Sequence, residues 1–335
     1  SVGRAVLLLA LVLFPVACGG GGTGPPDPPP TGVTLADLEG GWSGPTGVAA
    51  LGGGPLAGGL PGGFTADAEG HLTGTGSLVG IDGRLRLNRS YQLEAQYLHG
   101  FTTEPNDTTL TEGINDETFD AGRYTAAFDG ETFDGGALYT SLERNGRRWG
   151  FDLDYWDVAP TFRAENGFEV RNSFREGIAR TFYLFRFENS TWLEWLQPGV
   201  SASRQWNSEG IQKESVLLAW LEGRFRKAQT SFHGAYTADD QRFNGVDYTG
   251  LYRWHMCFNS RPSDLLVFGA NANYGRRIYY SGQAYGLQED YGLWFDLKPV
   301  DRLLLETSFS WSRSEDEITG ETFFDSYVMR TKLGL

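Results

Sequence analysis

The stretch YGLWFDLKPVDRLLLETSFSWS, residues 291–312, decides the fold class of this chain. In its first half Tyr291, Leu293 and Phe295 occupy alternate positions, and in its second half apolar residues recur from Leu303 to Trp311. A Lys-Pro-Val-Asp sequence separates the two halves. Because successive side chains of a strand point to opposite faces of the sheet, the stretch predicts a β-hairpin with one apolar and one polar face.

The same alternation recurs at residues 91–97, 149–155, 266–274 and 327–333. Such segments run to about ten residues and number about 14, which suits tilted membrane-crossing strands better than sandwich strands of about five or six residues. After residue 18 the longest apolar run is the six residues from Val216 to Leu221, so no transmembrane helix is expected. We therefore predict an all-β fold, an antiparallel transmembrane β-barrel of about 14 strands.

The predicted connections in the second half alternate in length. Short turns are expected at residues 260–263 and 298–301, and long polar segments at 238–247, 275–289 and 312–322. This asymmetry is typical of outer-membrane barrels, which have tight periplasmic turns and longer external loops.

Composition and charge restrict the partners of the chain. Its 46 glycines, 10 tryptophans, 15 tyrosines and 22 phenylalanines favour turns and strands, and its formal net charge is -14. Nucleic-acid binding requires clustered cations, so nucleic acid is excluded as a partner. The mean hydropathy of -0.34 is compatible with a barrel whose lumen and loops are polar.

The N-terminal region has the features of an export signal. Arg4 precedes an apolar run from Ala5 to Ala17, which is too short to span a bilayer as a helix, so residues 1–18 are predicted to be a signal peptide. The sequence before Cys18 resembles the lipobox of bacterial lipoproteins, which implies that Cys18 is lipidated. We therefore expect export to the bacterial outer membrane.

Three further segments follow the leader. Residues 19–32 are predicted to be a Gly/Pro linker, residues 33–77 a small Gly-rich β segment, and residues 78–335 the barrel domain. The linker composition cannot pack a core.

Several stretches of the barrel region resemble a known family. They are IDGRLRLNRSYQLEAQ (residues 81–96), LERNGRRWGFDLDYWDVAPTFRAENGFEVRNSF (142–174) and YVMRTKLGL (327–335). They resemble the β-barrel domain of unknown function that follows a family-9-type carbohydrate-binding module in larger bacterial proteins. The resemblance implies an outer-membrane barrel that is associated with glycans, and it carries over no catalytic residue. The module is missing here and the final strand lacks an aromatic terminus, so we expect the barrel to be incomplete.

The polar face of the predicted strands supplies the candidate functional residues. Leu293, Phe295, Leu305 and Phe309 are expected to contact lipid, with Ser308 on the other face. Arginines on that polar face should neutralise nearby acids while setting ion selectivity. The predicted lumen-lining residues are Arg84, Arg86, Glu94, Arg148, Asp152, Asp154, Arg253, His255, Glu306, Arg330 and Lys332. No metal or cofactor is predicted.

These features predict a non-enzymatic outer-membrane protein, either a channel or a glycan-associated surface module. Its expected partners are membrane lipid, lipopolysaccharide, the barrel-insertion machinery and, through the resemblance, glycans. A soluble, lipid-anchored β-sandwich binding protein is the alternative. A minor alternative is an outer-membrane hydrolase that uses Ser231 and His233 with Asp239 and Asp240.

Overall fold

The computed structural model describes residues 58–63, 74–163, 172–300 and 302–334. The predicted signal peptide, the linker and Cys18 lie outside these residues. The strands are β1 (Gly58–Gly63), β2 (Thr75–Arg86), β3 (Tyr91–Thr103), β4 (Thr118–Phe119), β5 (Tyr124–Thr125), β6 (Thr132–Asn145), β7 (Trp149–Val158), β8 (Phe174–Tyr183), β9 (Phe185–Arg186), β10 (Leu193–Asn207), β11 (Gln212–Phe225), β12 (Ser231–Phe243), β13 (Val246–Ser260), β14 (Leu266–Tyr279), β15 (Ala284–Val300), β16 (Leu303–Asp316) and β17 (Thr322–Gly334). Two short 3-10 helices span Thr108–Thr111 and Lys227–Gln229.

One large sheet contains nearly all of these strands. Its order is β1-β2-β3-β6-β7-β8-β10-β11-β12-β13-β14-β15-β16-β17, a path of 14 strands, with β9 paired to β10. Strands β4 and β5 form a separate two-stranded sheet. The predicted fold class, antiparallel all-β with about 14 strands, is confirmed. No helix among the described residues is long and apolar enough to cross a membrane.

The contacts within the chain divide it into two compact units. Of the described residues, the first unit contains 58–63, 74–82, 96–137, 158–163 and 172–173. Its buried aromatic residue Phe133 packs edge-on against Phe119 at 5.4 Å between ring centroids, and the Arg163 guanidinium lies 4.9 Å from the Phe119 ring. Aromatic packing therefore forms the core of this unit.

Of the described residues, the second unit contains 83–95, 138–157, 174–300 and 302–334 and carries the longest ladder of paired strands. Directly opposite residues in such a ladder share a face. Leu293 pairs with Ala270 and Phe309, whereas Asp290 pairs with Asn273 and Ser312. The register therefore aligns apolar residues with apolar ones and polar residues with polar ones.

The long polar connections predicted from the sequence are wrong, because the strands continue through most of them. β12 and β13 are joined through Asn244 and Gly245, both with positive φ. This is a turn of the kind that favours Asn-Gly. Arg242 and Asp247 lie on either side of the turn and form a cross-strand ion pair at 3.0 Å. The polar stretch is strand because cross-strand ion pairs and backbone hydrogen bonds replace apolar burial there.

Strand β17 lies at one end of the sheet order and pairs with β16. Tyr327, Val328 and Met329 of β17 are exposed. The described pairings do not join residues 84–87 to residues 329–333. At the other end of the order, β1 pairs with β2, and β2 runs across the boundary predicted at residue 78.

Candidate functional site

The long sheet buries its polar face and exposes its apolar face, which is the reverse of what a soluble protein does. On β7 the carboxylates Asp152 and Asp154 are buried, whereas Trp149, Leu153 and Tyr155 are exposed. Soluble proteins bury apolar side chains and expose carboxylates. This strand therefore presents its apolar face outward and its charged face inward.

The same inversion holds in other strands of the second unit. Met256 and Leu293 are each 59% exposed, whereas Arg180 and Asp239 are 4% and 6% exposed. An apolar surface that extends over many strands marks contact with a membrane or a partner. The polar face is consequently the candidate functional face.

Aromatic side chains form two adjacent rows on the apolar face. In one row Tyr236 pairs with Trp254, which pairs in turn with Tyr274. In the next row Tyr291 pairs with Trp311, with ring planes 8° apart and centroids at 5.6 Å. Such rows resemble the aromatic girdles that flank the apolar band of membrane barrels.

A buried ion pair joins β7 and β8 on the polar face. Asp152 Oδ2 lies 3.2 Å from Arg180 Nη1, and their side chains are 11% and 3% exposed. Asp154 lies two residues further along β7 and accepts a hydrogen bond from the Tyr139 hydroxyl at 3.4 Å. These contacts hold two carboxylates on the inner side of β7.

A cavity of about 620 Å³ lies beside this pair. Part of its wall is formed by residues that lie directly opposite one another on five neighbouring strands. They are Ile178, Ser203, Val216, Asp239 and Leu251, and Asp154 adjoins them. Asp239 Oδ2 accepts a hydrogen bond from the side chain of Gln241 at 2.9 Å. Among the described residues, Asp239 Oδ1 has no hydrogen-bond partner. The cavity is therefore mixed, because its lining combines apolar residues such as Ile178, Val216 and Leu251 with the carboxylates of Asp154, Asp239 and Asp240.

No family model matches the chain, and no curated protein matches it. Among solved structures the chain is similar to the ferric enterobactin receptor PfeA, with 11% identity, a TM-score of 0.45, 80% of this chain covered and 51% of that one. The siderophore receptor PirA from Acinetobacter baumannii has 8% identity and a TM-score of 0.39 over 79% of this chain and 49% of its own. Pseudomonas aeruginosa OccK5 has 11% identity and a TM-score of 0.39 over 79% of this chain and 90% of its own.

The chain spans about half the length of the first solved structures that it matches. The resemblance to the barrel domain that follows carbohydrate-binding modules stays a prediction.

Most of the predicted lumen-lining residues lie on the polar face. Arg84 pairs with Glu94, and Lys332 pairs with Glu306, each at 2.9 Å. Arg330 lies directly opposite Ser308 on the neighbouring strand. Asp152, Asp154, Arg253 and His255 are at least partly buried on the same face. Whether this face lines a lumen stays a prediction.

Two further predicted residues lie at the ends of strands with exposed side chains. Arg148 lies in the turn between β6 and β7 with its side chain exposed, because the strand begins at Trp149. Arg86 is the last residue of β2 and is exposed. The basic partner of Asp152 is instead Arg180, which the sequence interpretation missed. The inner positions of β8 are occupied by Ile178, Arg180 and Phe182. Because apolar and charged residues alternate there, the sequence shows no continuous polar face on this strand.

The residues of the hydrolase hypothesis do not form a site. Ser231 and His233 lie near one end of β12, where Ser231 is opposite Asn259. Asp239 is six residues from His233 along the strand, or roughly 20 Å at the rise of an extended chain. Asp240 accepts a hydrogen bond from the backbone of Gly250 at 2.7 Å. A Ser-His-Asp set requires successive hydrogen bonds, which these positions do not allow.

Three carboxylates of the first unit could hold a metal ion. Glu104, Asp129 and Glu131 each offer an oxygen, and these atoms lie within 4.8 Å of one another. Oxygen ligands of this kind suit Ca²⁺ or Mg²⁺.

Proposed function

We propose that this protein is a non-enzymatic outer-membrane β-barrel that acts as a channel. One observation carries the proposal, the inverted burial of the two faces of the long sheet. Apolar residues such as Leu293 are exposed, and charged residues such as Arg180 are buried. A lipid-facing outer surface and a polar interior account for both faces at once.

The soluble sandwich alternative accounts for them less well. A sandwich covers the apolar face of one sheet with the apolar face of a second sheet. Among the described residues, the second sheet consists of the two-residue strands β4 and β5. It is too small to cover the apolar face of 14 strands, so hydrocarbon lipid is the better match for that face.

The interior chemistry favours a channel over a sealed barrel. The polar face combines ion pairs with the mixed cavity beside Asp154 and Asp239. Charged side chains that line a pore set its ion selectivity. No described residue favours a glycan-binding role, so the glycan association stays a prediction from the resemblance.

The membrane location predicts a specific behaviour on fractionation. The full chain should remain in the membrane pellet after washing with sodium carbonate at high pH, and its mobility on a denaturing gel should shift on boiling. A folded barrel resists detergent until it is heated, whereas a tethered sandwich does not show this shift. Release into the wash together with constant mobility would exclude the barrel.

The channel predicts a selective change in ion preference. Purified protein in planar bilayers should give stepwise conductance, and Asp154→Asn should move the reversal potential in a KCl gradient toward anion preference. Asp157→Asn is the matched control, because Asp157 pairs with Arg175 near the end of the same strand, on the opposite face. Absence of conductance, or equal shifts in both variants, would contradict the channel.

A further inference from the structure

The connections at one end of the second unit form a continuous row. The Leu184 N–H donates a hydrogen bond to the Arg148 carbonyl at 2.6 Å, and the Arg261 N–H donates one to the Ala228 carbonyl at 2.7 Å. Three more backbone hydrogen bonds of 2.8 Å join residues 145 and 90, 226 and 192, and 298 and 265. These bonds place six connections side by side, namely β2–β3, β6–β7, β8–β10, β11–β12, β13–β14 and β15–β16.

This row carries positive charge in a chain whose formal net charge is -14. The six connections contain eight basic residues and three acidic ones. At the opposite end of β10 to β17, the four connections contain three acidic residues and no basic one. The eight basic residues are therefore concentrated at one end of the strands, and we call them the basic turn row.

The basic turn row is largely without acidic partners. Arg89, Arg147 and Arg148 are exposed, and none of them forms an ion pair with another described residue. Near the opposite end, by contrast, Arg276 pairs with Glu317. The guanidinium groups of the row are thus available to an external anion, and their planar N–H donors suit phosphate oxygens.

Aromatic side chains lie at the strand ends beside this row. Trp149 is the first residue of β7, and the Arg144 guanidinium lies 4.5 Å from its ring. Phe225 is the last residue of β11, and its ring centroid lies 5.9 Å from that of Trp192 in a neighbouring turn. Trp149 and Trp192 are 42% and 59% exposed. Because tryptophan is enriched at the level of lipid headgroups, basic residues in the adjoining turns are at the right level for lipid phosphates.

From this arrangement we infer that the basic turn row binds the phosphate groups of anionic phospholipids at the periplasmic surface of the membrane. The inference rests on the proposed membrane location. Short turns of outer-membrane barrels face the periplasm, and basic residues beside an anionic membrane surface are attracted to it. The row also gives residues 87–90 and 146–148 the same side of the membrane as the turn at residues 261–265.

Electron paramagnetic resonance with spin-labelled lipids tests the inference on the full chain in phosphatidylcholine bilayers. Spin-labelled phosphatidylglycerol should associate with the protein more strongly than spin-labelled phosphatidylcholine by about fivefold, the contribution of one well-placed basic residue. Because the attraction is electrostatic, about 1 M NaCl should reduce this preference. Equal association of the two lipids at low salt would overturn the inference, and this measurement needs no variant.

Two double variants test the position of the lipid contact. Arg147→Gln with Arg148→Gln removes two charges from the basic turn row and should lower the preference for phosphatidylglycerol by at least about twofold. Arg242→Gln with Arg276→Gln is the matched control, because it removes two charges near the opposite end of the strands and should leave the preference unchanged. Equal preferences in the two variants, both keeping the heat-dependent gel shift, would overturn the inference.

A failure of the proposed membrane location gives a different result. Without insertion into the bilayer, neither spin-labelled lipid would show a motionally restricted signal, and the heat-dependent gel shift would be absent. A restricted signal that does not distinguish the two lipids would leave the membrane location intact. It would overturn only the inference that the basic turn row binds anionic phospholipids.

Discussion

Arginine in place of Phe309 should destabilise the folded protein by about 2–4 kcal/mol, the cost of a lipid-facing arginine near the middle of a bilayer. Phe309 lies near the centre of β16, is exposed, and is flanked in register by Leu293 and Met329. A guanidinium at this position must be desolvated in hydrocarbon. Unfolding by urea from lipid vesicles, followed by tryptophan fluorescence, measures the change.

The control is the next residue on the same strand. Ser310 lies on the opposite face, between Gly292 and Val328 in register, so Ser310→Arg places the charge in the polar interior. It is preferred to Ser308, which lies opposite Arg330 and would add like-charge repulsion. Ser310→Arg should cost much less than Phe309→Arg. Equal losses of stability would contradict a lipid-facing β16.

Replacing Arg180 with leucine should cost about 3–5 kcal/mol, because it leaves the buried Asp152 carboxylate without its charge partner. The two side chains are almost fully buried and lie 3.2 Å apart. The double variant Arg180→Leu with Asp152→Leu should recover much of this loss, since it removes both charges together. Guanidinium unfolding in detergent micelles gives the coupling free energy of the cycle.

Arg175 is the comparison for this cycle. It pairs with Asp157 across the same two strands at 3.1 Å, but both side chains are substantially exposed. Arg175→Leu should therefore cost no more than about 1 kcal/mol. If Arg180→Leu were as mild as Arg175→Leu, the Asp152 pair could not be buried in the folded protein.

The sequence predicted the strands best where apolar and polar residues alternate strictly. Residues 149–155 and 291–297 lie in β7 and β15, with the predicted faces. Prediction failed in polar stretches such as residues 238–247, because apolar periodicity disappears where strands extend beyond the apolar face. Ion pairs such as Arg242 with Asp247 stabilise the strands there, and a single sequence gives no signal for such pairs.

The candidate sites depend on register, which the sequence specifies only weakly. His255 was predicted to lie on the polar face, but its neighbours His233, Glu222 and Asn273 belong to three other strands. A shift of pairing by one residue would move each strand's side chains to the other face. The turns and the complete ladder determine which side chains meet, so these neighbours of His255 become visible only in the structure.

The order of the strands has a consequence for how the chain assembles. From β10 to β17 each strand pairs with the strand that precedes it in sequence, so this part of the sheet can grow one hairpin at a time. Unpaired backbone N–H and C=O groups are costly in hydrocarbon, each by several kcal/mol. Growth by successive hairpins replaces one edge strand at a time, and closing each new pair needs only a short loop. Assembly of this region can therefore proceed in the order of the sequence, without a long-range search for partners.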